Sequence, residues 1–236
     1  MAVASTGIRA SLPVRHTMIL PPDSRLLFIG DSITDAGREP MGEAAPWGGA
    51  GLGRGYVSFV QSWLLATRPQ DRVRVFNRGT GGNTVRDLAA RWQTDVLDLK
   101  PDVVSIMIGI NDVWRQFDTP LRTETHVLPD EYERTLEDLA TRTRAQLAAP
   151  ERLILATPFF IEPNRADSMR ARMDEYGAIV CRLAAKHGAT FVDTQAAFDA
   201  VLAHTHPMSL AWDRIHPQPA GHMVLARAFL AALGVL

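Results

Sequence analysis

The chain has 236 residues, 46% hydrophobic and 22% charged, with a formal net charge of −1, the balance of an ordinary globular domain. Its arginines are interspersed with Asp and Glu and form no long basic run, which argues against nucleic acid or a membrane surface as partner. No segment approaches the roughly 20 apolar residues of a membrane span, and the single cysteine, Cys181, excludes an intramolecular disulfide.

Residues 1–22 hold Arg9, Arg15 and His16 and no apolar run of signal-peptide length. They read as an arm or partly disordered lead, and a cytoplasmic location is the default expectation. Residues 23–236 read as one domain, because no linker-like stretch or repeat divides them. Buried strands are expected at Leu26–Ile29, Val73–Asn77, Val103–Ile108, Leu153–Thr157 and Thr190–Val192, each short, apolar and without clear alternation. Helices are expected at Gly55–Thr67, Thr84–Leu99, Pro129–Ala148, Ser168–His187 and Pro219–Leu233, with a short one over Gln195–His204. All five long segments carry apolar residues at three- and four-residue spacing. Thr84 is a candidate N-cap with Asp87 three residues on, and Pro219 suits a first helical turn.

Strand–helix alternation of this kind predicts an α/β fold, a parallel sheet covered by helices on both faces. The stretch Gly37–Gly55 has seven glycines, Pro40, Pro46 and Trp47. It reads as a surface loop or as a mobile rim over a site. Cys181 lies among Ile179, Val180 and Leu183 and reads as a buried structural thiol.

Ligands bind at the carboxyl ends of parallel strands, so the residues after each strand are the candidates. After the first come Gly30, Asp31 and Ser32; after the second, a loop with Gly79, Gly81 and Gly82; after the third, Gly109, Ile110, Asn111 and Asp112. A serine hydroxyl needs an adjacent base to act as a nucleophile. Of seven histidines, His216 stands out because Asp213 precedes it by three residues, a spacing that places both side chains on one helical turn. His187, His204, His206 and His222 read as solvent or capping residues. Taken singly, Ser32 could be a helix cap, Asn111 a turn residue, and the Asp–His pair a coincidence.

The string Gly30-Asp31-Ser32-Ile33-Thr34-Asp35 resembles the first block of the SGNH or GDSL hydrolase superfamily, with Ile33 where the strict string has leucine. The loop bearing Gly82, the segment Gly109-Ile110-Asn111-Asp112, and Asp213-Arg214-Ile215-His216 resemble its other three blocks, in order. Segments such as Asn83-Thr84-Val85-Arg86-Asp87-Leu88 and Val113-Trp114-Arg115-Gln116 are most similar to the subgroup of intracellular acetylxylan esterases. The resemblance implies a three-layer α/β/α fold with a five-stranded, flavodoxin-like sheet. It implies Ser32 as nucleophile, His216 as general base oriented by Asp213, and an oxyanion hole from the Ser32 and Gly82 N–H groups and the Asn111 amide. The implied substrate is an acetylated xylo-oligosaccharide or related sugar, processed through an acetyl-serine, with no cofactor and no metal. A homo-oligomer is implied, with an octamer as the candidate form.

Asp31, Trp114 and Trp212 are candidate substrate-lining residues, the tryptophans because an aromatic face suits the apolar side of a pyranose. Within the fold, the alternatives are a lipase, lysophospholipase, thioesterase or aryl esterase. More remote ones are a metal-dependent phosphoesterase built on Asp31, Asp35, Asp112, Asp213 and His216, and a non-catalytic carbohydrate-binding protein. The absence of a Gly-x-Ser-x-Gly elbow argues against the α/β-hydrolase fold.

Overall fold

A computed structural model describes residues 20–40 and 50–236. The expected arm over residues 1–22 lies, but for its last three residues, outside them, and so do residues 41–49 of the Gly37–Gly55 loop. Five parallel strands form one sheet: β1 (Arg25–Gly30), β2 (Arg74–Gly79), β3 (Val103–Met107), β4 (Leu153–Ala156) and β5 (Thr190–Val192), in the order β2-β1-β3-β4-β5. This is the flavodoxin-like order, and the chain reverses direction across the sheet between β1 and β3. Leu26, Leu27, Phe28 and Ile29 on β1, and Val103 and Val104 on β3, are buried from both faces, which explains their unbroken apolar runs.

The helices are α1 (Ser32–Asp35), α2 (Tyr56–Thr67), α3 (Val85–Asp95), α4 (Ile110–Asp118), α5 (Pro129–Arg144), α6 (Ser168–His187), α7 (Thr194–Leu202) and α8 (Pro219–Ala232). α2 packs on α8 and α8 on α7, while α3 packs on α5 and α5 on α6, giving the two outer layers. Phe28 ties β1 to one layer: its ring meets Tyr56 edge-on at 5.5 Å and Phe229 edge-on at 5.4 Å, and those two stack at 5.0 Å. Burying each such ring contributes about 1.5–3 kcal/mol.

Three expectations need correction. Residues 110–118, where no helix was expected, form α4; the segment is short and two of its first three residues are polar, so its apolar spacing covers barely two turns. The helix expected over 84–99 ends at Asp95, because Val96 leaves helical backbone at φ −125° and residues 97–99 form a separate 3-10 turn. Cys181 is exposed, because the buried stripe of α6 runs through Ile179, Val180, Leu183 and Ala184 and leaves position 181 outside.

His222, in the first turn of α8, is 8% exposed, and its Nδ1 accepts a hydrogen bond from the Tyr56 N–H at 3.3 Å. It thereby caps α2, whose N-cap Gly55 has no side chain to offer. Burial lowers its pKa to about 4. The unfolded chain therefore takes up this proton first as pH falls. The contribution is complete above about pH 6.5, is lost between about 6.5 and 4, and changes no further below that. Urea denaturation of wild type and His222→Gln at pH 7 and 4.5 checks this. The wild-type advantage should shrink by about 2–3 kcal/mol at the lower pH, and an equal gap at both pH values would contradict it.

Candidate active site

Ser32 opens α1 directly after β1. Its neighbour Asp31 is the N-cap and accepts from the Ile33 N–H through Oδ1 at 2.9 Å. The turn fits so closely onto the strand ends because Gly30 and Gly79, paired across β1 and β2, have no Cβ. A Cβ on Gly30 would overlap the Met107 carbonyl oxygen and Thr34 Oγ1, and one on Gly79 would overlap the backbone of Thr34 and Asp35. Asn77 supports the same turn from beneath, donating through Nδ2 to the Thr34 carbonyl at 2.6 Å.

His216 reaches this turn from the other end of the chain. Its Nε2 lies 3.0 Å from Ser32 Oγ and its Nδ1 lies 2.6 Å from Asp213 Oδ2. The carboxylate holds the proton on Nδ1, so Nε2 is free to accept from the serine hydroxyl. In this line the serine proton can pass to the imidazole while Asp213 stabilises the cation that forms. Burial pushes the Asp213 carboxyl up, but hydrogen bonds from the His216 ring and from the His216 and Ile215 N–H groups outweigh it and leave its pKa below the usual value.

The Asp213–His216 spacing predicts contact correctly but for the wrong reason. The segment is a turn, not helix, and Arg214 sits in the left-handed region at φ +63°. Asp213 Oδ1 takes the N–H groups of Ile215 and His216 at 3.0 and 2.8 Å, so the side chain itself holds the turn shut. The segment after β4 braces it: the Ile161 N–H donates to the Arg214 carbonyl at 2.9 Å, and the Arg214 guanidinium pairs with Glu162 and lies over Phe160. Phe160 and Glu162 carry no local sequence signal for this role.

In the loop after β2, next to Gly81, which approaches the Ser32 side chain, Gly82 adopts φ +79°. The N–H groups of Ser32 and Gly82 have no acceptor among the described residues. Asn111, buried in the first turn of α4, donates one amide N–H to the Asn83 carbonyl at 2.9 Å and keeps a second for another acceptor. Three donors thus border the Ser32 loop.

The substrate-lining expectations separate. Trp114 is half-buried, its ring in a T-shaped arrangement with the His216 ring at 6.1 Å between centroids. Trp212 is 70% exposed beside Asp213. Asp31 is 2% exposed, which leaves it almost no surface to offer a substrate. Burial raises the carboxyl pKa of both Asp31 and Asp112 to about 7. A cleft of about 330 Å³ begins at Thr84, two residues past Gly82; it is lined by Thr84, Arg86, Asp87, Arg115, Thr119, Arg122 and Thr125, with none of Ser32, Gly82, Asn111, Asp213 or His216 among them. Among the described residues no three of His, Cys, Asp and Glu cluster closely enough to hold a metal ion.

Residues 28–224 match the model of the GDSL-like lipase/acylhydrolase family. The chain belongs to that family. It is 54% identical over 211 residues to the acetylxylan esterase of Geobacillus stearothermophilus, covering 89% of this chain and 94% of that one. Among solved structures it resembles LAE5, described as an α/β hydrolase enzyme from the metagenome of Lake Arreo, Spain, with a TM-score of 0.87 and 55% identity over 93% of this chain and 99% of the other. It also resembles Axe2, an acetylxylan esterase of Geobacillus stearothermophilus, with a TM-score of 0.86 and 52% identity over 92% and 97% of the two chains.

A Cβ on Gly82 would meet nothing within 4 Å, so neighbours do not demand glycine there; the positive φ does. Gly82→Ala should therefore cost about 1–2 kcal/mol in chemical denaturation, and Gly82→Asn less, since Asn tolerates the left-handed region. Equal stability of all three proteins would show that the loop relaxes out of this conformation.

Proposed function

We propose that this chain is a serine esterase that removes acetyl groups from acetylated xylo-oligosaccharides or closely related sugars through an acetyl-serine intermediate. The observation that carries the reading is the unbroken line Ser32 Oγ–His216 Nε2 and His216 Nδ1–Asp213 Oδ2, at 3.0 and 2.6 Å, on the rim of the sheet. Ser32 attacks the acetyl carbonyl carbon as His216 takes the hydroxyl proton. The tetrahedral oxyanion is held by the Ser32 and Gly82 N–H groups and the Asn111 amide. His216 then protonates the departing sugar oxygen. Water, deprotonated by His216, attacks the acetyl-serine, and the second tetrahedral intermediate collapses to acetate as Ser32 regains its proton.

The substrate class rests on two supports. One is the extent of the likeness to the acetylxylan esterase, 89% of this chain. The other is a cleft that begins at Thr84, two residues past Gly82, whose threonines, arginines and Asp87 suit a hydroxyl-rich ligand, whereas a long acyl chain needs a continuous apolar groove. In this reading Trp114, whose ring meets that of His216 at 6.1 Å, contacts the sugar next to the scissile bond. The reading includes a cytoplasmic enzyme that works as a homo-oligomer, and the exposed Trp212 and Met208 favour a covered rather than a bare surface.

A substrate panel tests it: acetylated xylose, acetylated xylo-oligomers, and p-nitrophenyl acetate against p-nitrophenyl octanoate. Acetyl esters should turn over and leave a trapped acetyl on Ser32 detectable by mass, Ser32→Ala should be inactive, and faster octanoyl turnover would overturn the acetylesterase reading. Asn111→Ala should lower kcat on the order of 10²–10³-fold with a smaller effect on KM; a loss below about threefold would remove Asn111 from the oxyanion hole.

A further inference from the structure

Residues 83–85 join Gly82 to α3, and their backbone is gripped at each step. The Asn83 carbonyl accepts from Asn111 Nδ2 at 2.9 Å, the Thr84 N–H donates to Asp87 Oδ2 at 2.8 Å, and the Val85 N–H donates to Asp112 Oδ1 at 3.0 Å. Asn111 and Asp112 are consecutive in the first turn of α4. One rigid turn therefore holds the chain on both sides of Thr84.

Asp112 is an expensive way to make its bond. It is fully buried, and its Oδ2 has no hydrogen-bond partner among the described residues. Burying a carboxyl with one oxygen unsatisfied costs free energy. α3 does not need it to begin, because Thr84 and Asp87 already form a local cap. Gly81 and Gly82, by contrast, are held by no side chain among the described residues, so the direction of the Gly82 N–H is inherited from the residues that follow it.

We propose that Asp112 is a positioning residue: by holding the Val85 N–H it fixes, together with Asn111, the orientation of the Gly82 N–H in the oxyanion hole. The proposal rests on the esterase reading above. An oxyanion donor matters most in the transition state, so a loosened one lowers kcat and leaves KM nearly unchanged.

Three variants test it. Asp112→Leu removes the acceptor while keeping the same branched heavy-atom skeleton, and buries no charge. Val85→Pro removes the donor from the other side; proline is tolerated at a first helical position, and the extended backbone of Thr84, φ −101° and ψ 177°, suits a following proline. Asp112→Asn keeps an acceptor oxygen. The measurements are kcat and KM on p-nitrophenyl acetate, inhibition by an alkylboronic acid that forms a tetrahedral adduct, and amide hydrogen exchange over residues 80–85.

In Asp112→Leu and Val85→Pro, kcat should fall on the order of ten- to a hundredfold, the strength of a hydrogen bond to a charged group. KM should stay within about threefold, boronate affinity should fall in parallel with kcat, and exchange over 80–85 should quicken. Asp112→Asn should stay within about threefold of wild type in kcat. The proposal is overturned if folded Asp112→Leu keeps wild-type kcat, if the loss lies in KM alone, if Asp112→Asn loses as much as Asp112→Leu, or if exchange over 80–85 is unchanged. Failure of the esterase reading looks different: wild type inactive on acetyl esters, or Ser32→Ala as active as wild type, with the exchange result for Asp112→Leu still standing.

Discussion

The contact between α1 and the carboxyl ends of β1 and β2 is the constraint on which the site depends. Gly30 and Gly79 face each other across those strands, and neither has room for a side chain. Their emptiness lets the turn that carries Ser32 lie directly on the sheet rim. The strand order then does the rest. β1 and β3 are neighbours, with Gly30 in register with Met107, yet the chain leaves them in different directions. The opening between those departures holds Ser32 from one strand and Asn111 from the helix that follows the other.

Beneath that opening lies a layer of buried polar residues rather than a purely apolar core. Asn77 ties the Ser32 turn to β2, Asp31 caps α1, Asn111 holds the Gly82 loop, and Asp112 holds the start of α3. Each bond is between a side chain and a backbone group, so each specifies a position and not merely a contact. Such networks cost desolvation and return rigidity. Rigidity matters for the proposed chemistry, because donors held in place before reaction need no reorganisation when charge develops on the acetyl oxygen. His222 extends the theme to the other layer, where a buried neutral imidazole caps α2 beside the site.

Much of this was legible in the residues. The five strands and the long helices announced themselves by apolar runs and by three- and four-residue spacing, since burial on both faces or on one stripe leaves those patterns. Asking which polar residues trail the strands and which histidine has a carboxylate nearby picked out candidates, and the resemblance to the four SGNH or GDSL blocks implied which of them act as nucleophile, donors and base. Other features were hidden. α4 is too short for its periodicity to register, and its helical first turn is what brings Asn111 and Asp112 to bear on successive residues of one loop. The Asp213–His216 pair was found by a helical argument although Arg214 breaks any helix, because the aspartate itself closes the turn. Cys181 was misplaced because apolar neighbours in sequence do not say which side of a helix faces the core.

By itself, then, the sequence determined the fold class and the order of elements, because hydrophobic periodicity is a local property, while the roles of the proposed triad and donors came from the resemblance of its four short blocks to those of the SGNH or GDSL superfamily. Only the tertiary structure decided which of those residues touch. Ser32 and His216 are separated by 184 positions and meet at 3.0 Å; nothing local encodes that distance. Likewise Asp31 became a buried cap rather than a substrate contact, and Phe160 and Glu162 became supports for the histidine turn. Burial and long-range hydrogen bonding depend on where the sheet places its strand ends, and that is settled by packing of the whole chain.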